Sequence, residues 1–204
     1  MKKLQLVICF VAATLFSTAQ NWDVNIVKGI NPNNPNSFVM RGLSSAVYPV
    51  GVVTPLTQLV TGYATHNQTL QHQGWETVGS LAIAFVITDG LKYSINRTRP
   101  YIKYPADIHP YKADETGKSF PSGHTAIAFA TATSLTLEYK KWYVAVPAYL
   151  FATGVGYSRL YLGEHYASDV AAGAIIGTGS AFLSHWLTKK LLKYRPPQYV
   201  HIEK

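Results

Sequence analysis

The chain has 204 residues, of which 48% are hydrophobic and only 14% charged, and it carries a net charge of +8 at pH 7. An ordinary soluble domain has roughly 25% charged residues, so the composition points to one domain in or against a membrane. No basic run exceeds a pair and no nucleic-acid module is present, which excludes nucleic acid as a partner and leaves anionic lipid or phosphate for the excess positive charge.

Residues 1–19 read as a secretory signal peptide: Lys2 and Lys3 precede an apolar stretch from Leu4 to Phe16, and Ser17, Thr18 and Ala19 give a small-residue exit. An uncleaved anchor helix is the alternative, although the stretch is short of the roughly 20 residues a span needs. Cleavage removes Cys9, the one cysteine, and with it any disulfide, zinc-thiolate site or cysteine nucleophile. A polar segment follows over 20–46, rich in Asn and Pro from Asn31 to Asn36. Five largely apolar segments come next: Tyr48 to Tyr63, Thr77 to Ile95, Ser122 to Leu137, Trp142 to Tyr157 and Ser168 to Leu192. Their length favours helices over strands, and their Gly and Ala suit close helix packing. The expected fold is all-α: a transmembrane helical bundle of about five core helices over 47–193, after the signal peptide and before a basic tail over 194–204. A soluble bundle of the same helices is the alternative.

Lys and Arg gather in cytoplasmic loops of membrane proteins. With the new N-terminus outside, the joint "YKKWY" after the third segment and the tail "TKKLLKYR" after the fifth are both cytoplasmic. On the same count, the stretches from Arg97 to Phe120 and from Ser158 to Tyr166 lie together on the outer side.

That side collects three clusters: "KYSINRTRP", "FPSGH" and "SRLYLGEHYASDV". Arg99 and Arg159 offer planar forks of donors for phosphate oxygens, and Lys92 adds a point charge. Ser122 reads as the N-cap of a helix and Gly123 lets backbone approach, so free N–H groups and the positive helix end favour a phosphate there. The carboxylates on this side are scattered, which speaks against a metal site, and no cofactor is expected. Asp169 lies one helical turn after His165, so its carboxylate is placed to accept the Nδ1 proton and leave Nε2 as a nucleophile toward phosphorus. His124, at the mouth of the same helix, is the general acid and then the base that activates water. Singly, each cluster has a structural reading: an Asp89–Lys92 helix pair, an Arg-Pro loop exit, a capped helix start, a surface His–Asp pair. Their conjunction on one side carries the chemistry. Glu164 reads as solvated; the Tyr101, Tyr104, His109, Tyr111 and Lys112 side chains of the intervening loop either select a headgroup or are solvated, and the solvated reading is favoured.

The pattern Lys92-x6-Arg99-Pro100, then Pro121-Ser122-Gly123-His124, then Ser158-Arg159-x5-His165-x3-Asp169 resembles the phosphatidic acid phosphatase type 2 superfamily. The resemblance implies that His165 is the nucleophile, Asp169 its orienting carboxylate and His124 the acid, with Lys92, Arg99, Ser122, Gly123 and Arg159 binding the phosphoryl group. Its membrane branch acts on phosphatidate, phosphatidylglycerophosphate, undecaprenyl diphosphate or lipid A; other branches are soluble secreted acid phosphatases and the much longer vanadate haloperoxidases. The run after His165 looks most like the membrane branch, whose members usually have six spans where cleavage here leaves five. The expectation is a metal-independent phosphatase of a phospholipid or isoprenoid phosphate in a bacterial inner membrane, its site facing the periplasm. A soluble periplasmic acid phosphatase of broad specificity is the alternative.

Overall fold

The computed structural model describes residues 22–113 and 117–191. The expected signal peptide and basic tail lie outside the described residues, as do Asp114 and Glu115. Every regular element among the described residues is helical. A helical stretch over 22–30 (α1) is followed by α2 (Phe38–Ala64), α3 (Gln68–Ile95), the single turn α4 (Pro100–Lys103), α5 (Gly123–Tyr139), α6 (Trp142–Tyr161) and α7 (Ala167–Leu191).

The five long helices follow the five apolar segments, with two extended at their starts. Helix α2 begins at Phe38, where Ser37 accepts a hydrogen bond from the Met40 N–H, and α3 begins after Asn67, which caps Leu70 in the same way. These first turns escape a hydropathy reading because they carry polar groups: Arg41, Ser44 and Ser45 on α2 turn toward a cavity rather than lipid. Three helical stretches are long and apolar enough to cross a membrane by length and composition, Phe38–Ala64, Gln68–Lys103 and Ala167–Lys190. Their outward faces carry exposed Val52, Val53, Leu56, Phe85, Val86, Ile175 and Phe182, an apolar surface that suits lipid.

Helix α5 packs against all four of the other long helices. Its 17 residues extend only about 25 Å, short of the roughly 30 Å hydrocarbon core, and its buried surface is small: Ala126, Ala128, Ala130 and Ala132 with Thr125, Thr131 and Thr133. Close approach is set by α7. A Cβ at Gly173 would lie 2.5 Å from the Ser122 carbonyl oxygen, and one at Gly177 would lie 2.2 Å from that of Ala126. Both glycines are therefore required where α7 meets the start of α5, and this seam brings two of the motifs together.

At the other end of the bundle, buried polar side chains tie the helices. Glu138 on α5 accepts from Gln58 Nε2 on α2 (2.5 Å) and lies 2.8 Å from the Thr77 hydroxyl on α3. His185 on α7 meets Glu76 on α3 at 2.5 Å, and Ser184 donates to the Glu76 carbonyl. Interhelical hydrogen bonds of this kind satisfy polar groups that lipid cannot.

Candidate active site

The site lies where α2, α5 and α7 begin and where α3 and α6 end. Ser122 is the N-cap of α5, as the sequence predicts, and its N–H donates to the Asp169 carbonyl at 3.0 Å, which locks the start of α5 to the first turn of α7. The Lys92 ammonium lies 3.8 Å from where a Gly123 Cβ would stand, so the cation reaches the start of α5.

His165 is 2% exposed and sits in the turn between α6 and α7. Its Nδ1 lies 2.7 Å from the Ser119 carbonyl oxygen and 3.5 Å from Asp169 Oδ2. The i,i+4 spacing thus brings the Asp169 carboxylate to Nδ1 as an ion-pair partner, with the Ser119 carbonyl as the nearer acceptor. A carbonyl only accepts, so Nδ1 carries the proton and Nε2 keeps its lone pair. Burial, more than any neighbouring charge, pushes the imidazole pKa down to about 4, with Arg159 and Arg99 adding to the shift and Asp169 opposing it. At neutral pH the ring is uncharged, as a nucleophile requires.

Asp169 acts through the loop. Oδ2 accepts the Ser119 hydroxyl and the Tyr166 N–H (2.9 Å), while Oδ1 accepts from Arg97 Nη1 at 2.6 Å. It therefore holds both ends of the peptide environment around His165: the residue whose carbonyl fixes Nδ1, and the backbone that follows the ring. Arg97 in turn donates to Asp23 Oδ2 (2.6 Å), and its guanidinium stacks 3.8 Å above the Tyr166 ring. Asp23 also accepts the Ser168 N–H at 2.8 Å. It comes from α1, whose Val24 and Val27 are buried with Tyr101, Ile108, Leu160 and Tyr166. The sequence places Arg97 in the first cluster without a role and singles out neither Ser119 nor Asp23; the one signal available is that Arg97 lies within the first motif and Ser119 just before the second.

Arg99 and Arg159 are both buried. Arg99 donates through Nε to the Gly117 carbonyl (2.9 Å) and through Nη1 to Glu164 Oε2 (2.8 Å); Arg159 donates to Ser44 Oγ (2.6 Å) and lies 3.9 Å from the same Glu164 oxygen. Glu164 is 3% exposed, so its reading as a solvated residue is corrected. One carboxylate oxygen sits between the two arginines and holds their forks side by side. Lys92, Arg99 and Arg159 set against Glu164 leave two positive charges, the complement of a phosphoryl dianion.

His124 lies edge-on to Tyr48, with ring centroids 4.8 Å apart. Burial, and then the positive charges of Arg159, Lys92 and Arg99, hold its pKa far below the ordinary histidine range. A phosphoryl dianion held among these cations would offset their share of that shift. A cavity of about 430 Å³ opens beside it, lined among others by Arg159, Glu164, Ser44, Arg41, Tyr111 and Lys112. Of the loop side chains expected in solvent, Tyr101 is buried and Tyr111 and Lys112 form part of this wall. The structure thus gathers at one end of the bundle all eight motif residues for which a catalytic or phosphate-binding role is expected, and adds Arg97, Ser119, Glu164 and Asp23 to them.

A sequence model of the PAP2 superfamily matches residues 73–193. Over 106 residues the chain is 39% identical to a lipid A 1-phosphatase of Porphyromonas gingivalis, covering 50% of this chain and 21% of that protein. Over 111 residues it is 34% identical to an undecaprenyl-diphosphatase of Sulfolobus acidocaldarius, covering 54% of this chain and 53% of that one. The chain therefore spans from about a fifth to about half the length of these curated relatives. The crystal structure of a transmembrane PAP2-type phosphatidylglycerolphosphate phosphatase from Bacillus subtilis superposes with a TM-score of 0.67 at 26% identity, covering 95% of this chain and 98% of that one. That likeness and the three apolar helices make this an integral membrane protein. With the family pattern matched over more than half of its length and its motif residues gathered at one site, the chain belongs to the PAP2 superfamily.

Proposed function

We propose that this protein is a metal-independent phosphatase of a lipid phosphate or diphosphate, working through a phosphohistidine on His165. The observation that carries the reading is the Nδ1 contact of His165 with the Ser119 carbonyl, which leaves Nε2 as a buried neutral nucleophile beside two buried arginines. The phosphoryl group lies against Lys92, Arg99 and Arg159 and the start of α5 at Ser122 and Gly123. Nε2 attacks phosphorus, the P–N bond forms, and the P–O bond to the lipid breaks as His124 protonates the departing oxygen. His165 becomes positively charged during this step, and Asp169, 3.5 Å from Nδ1, stabilises that charge. His124, now neutral, takes a proton from water as it attacks phosphorus; the P–N bond breaks, its electron pair returns to Nε2 and inorganic phosphate leaves.

The site faces the periplasm in this reading. Lys140 and Lys141 lie between α5 and α6, and Lys189 and Lys190 lie in the last turn of α7, all at the end of the bundle away from the site, as cytoplasmic cations do. Phosphate release by detergent-purified protein from undecaprenyl diphosphate, phosphatidylglycerophosphate, phosphatidate, lipid A and a soluble monoester tests the activity. Turnover should be confined to lipid substrates and vanish in H165A with the fold intact; full turnover by that variant would refute the nucleophile.

A further inference from the structure

The cavity contains cations beyond those of the phosphoryl cage. Arg41, in the first turn of α2, lines it together with Lys112 and Tyr111 from the loop before α5. Arg41 is held in place: Nη1 donates to Asn36 Oδ1 at 2.7 Å, and the guanidinium lies 4.6 Å from the centre of the Tyr111 ring. The loop that supplies the ring is itself fixed. The Tyr111 N–H donates to the Leu162 carbonyl at 3.3 Å, and the Asn31 side chain accepts from the His109 N–H (2.7 Å) while donating to the His109 and Tyr161 carbonyls. An arginine fixed in this way has already lost rotamer freedom, so it binds an anion at lower entropic cost than a mobile surface arginine.

Two further features give the group a direction. Phe38, which lines the same cavity, is 84% exposed, and its neighbour Val39 is 60% exposed, so the wall beside Arg41 continues into apolar side chains suited to a lipid chain. The cavity volume of about 430 Å³ is that of a site for a small molecule and exceeds what one phosphoryl group fills. The cage residues already match one dianion; Arg41 and Lys112 add two more positive charges to the lining of the cavity that Arg159 and Phe38 also line.

We propose that Arg41, Lys112 and Tyr111 form a second anion subsite, which takes the phosphate that stays on the leaving group when a lipid carrying two phosphates is cut. The inference rests on the phosphatase reading above and specifies its substrate class. With a diphosphate, His165 Nε2 forms the P–N bond to the terminal phosphorus. The bridging oxygen leaves with its electron pair on the lipid phosphate, where Arg41 and Lys112 share the charge. A glycerol-linked phosphodiester next to the scissile phosphate presents the same anion to the same cations.

The test compares Arg41→Gln and Lys112→Gln with the wild-type protein in two measurements. In the first, inorganic diphosphate and inorganic phosphate are titrated into purified protein, which needs no turnover. The affinity ratio of diphosphate to phosphate should fall about tenfold or more in each variant; an unchanged ratio overturns the subsite. Lys112 is solvent-exposed, so K112Q keeps the test decisive if R41Q fails to fold. In the second, kcat/KM for undecaprenyl diphosphate and for phosphatidylglycerophosphate is measured relative to phosphatidate. The substrate whose relative rate falls more identifies the directly joined or the glycerol-linked phosphate, and an equal loss on all three overturns the proposal. A wild-type protein that hydrolyses none of these lipids would refute the phosphatase reading, whereas an unchanged affinity ratio refutes only the subsite.

Discussion

Glu164→Gln is the substitution that separates an arginine-positioning role from a merely structural one. Glu164 Oε2 lies 2.8 Å from Arg99 Nη1 and 3.9 Å from Arg159 Nη2, and all three side chains are less than a tenth exposed. At an effective dielectric constant of about 20, the Arg99 contact alone corresponds to about 6 kcal/mol of attraction before desolvation. Breaking a buried pair by removing one partner costs about 3–5 kcal/mol, and the glutamine oxygen, which still accepts from Arg99, returns about 1 kcal/mol of that. The empty variant should therefore be less stable. A bound phosphate supplies the missing negative charge, so the loss should shrink when phosphate or vanadate is added. If a quarter of the lost attraction is transferred to the bound anion, phosphate binds the variant about tenfold more tightly, since 1.4 kcal/mol is a factor of ten. The assay is inhibition of lipid phosphate hydrolysis by inorganic phosphate, with thermal unfolding in detergent alongside it. Expected are a tenfold lower inhibition constant, a lower kcat from slower product release, and a larger stabilisation by phosphate than in the wild type. A folded E164Q protein with an unchanged or weaker phosphate inhibition constant would show that the carboxylate does not compete with the substrate for the two arginines.

The low pKa of His165, about 4 against an unfolded value of 6.5, means that the unfolded chain takes up a proton in that interval while the folded one does not. Stability from this source is fully present above pH 6.5 and is lost toward pH 4, by up to about 3 kcal/mol; unfolding followed against pH should show a flatter profile for His165→Asn over that window. Replacing Gly177 by Val places side-chain atoms where even a Cβ would stand 2.2 Å from the Ala126 carbonyl oxygen, so it should separate α7 from α5 and abolish both activity and cooperative unfolding. Activity retained in G177V would show that the seam tolerates separation. Cysteines introduced at Ala106 and Lys141, both exposed and at opposite ends of the bundle, should react differently with a membrane-impermeant maleimide in intact cells. Labelling of Ala106→Cys alone is the expected result, and labelling of Lys141→Cys alone would reverse the proposed orientation.

The parts of this site legible in the sequence are those whose geometry is local. Ser122 as an N-cap and the clustering of the three motifs at segment ends follow from helix grammar and from counting turns across the bilayer. Helix starts are less legible wherever a helix begins on a polar face: the apolar run places the start of α2 at Tyr48 because Arg41, Ser44 and Ser45 interrupt it, and these residues line the cavity. The partner of His165 Nδ1 was illegible for a different reason. The i,i+4 spacing correctly brings Asp169 to within 3.5 Å, but the nearer acceptor is the Ser119 carbonyl, a backbone group with no side-chain signature. Glu164 is illegible because a charged residue in a turn looks solvated until its partners are known, and those partners, Arg99 and Arg159, come from separate elements. Asp23 is the extreme case, since it reaches Arg97 and Ser168 only through the docking of α1 against the cluster around Ile108. The sequence motifs thus specify the groups that touch phosphorus, whereas the groups that aim them are specified by tertiary packing. The loop supplying Tyr111 and Lys112 belongs to the second kind. Its bearing on the substrate follows from its attachment to Asn31 and Leu162, which places Tyr111 against Arg41 at the cavity wall.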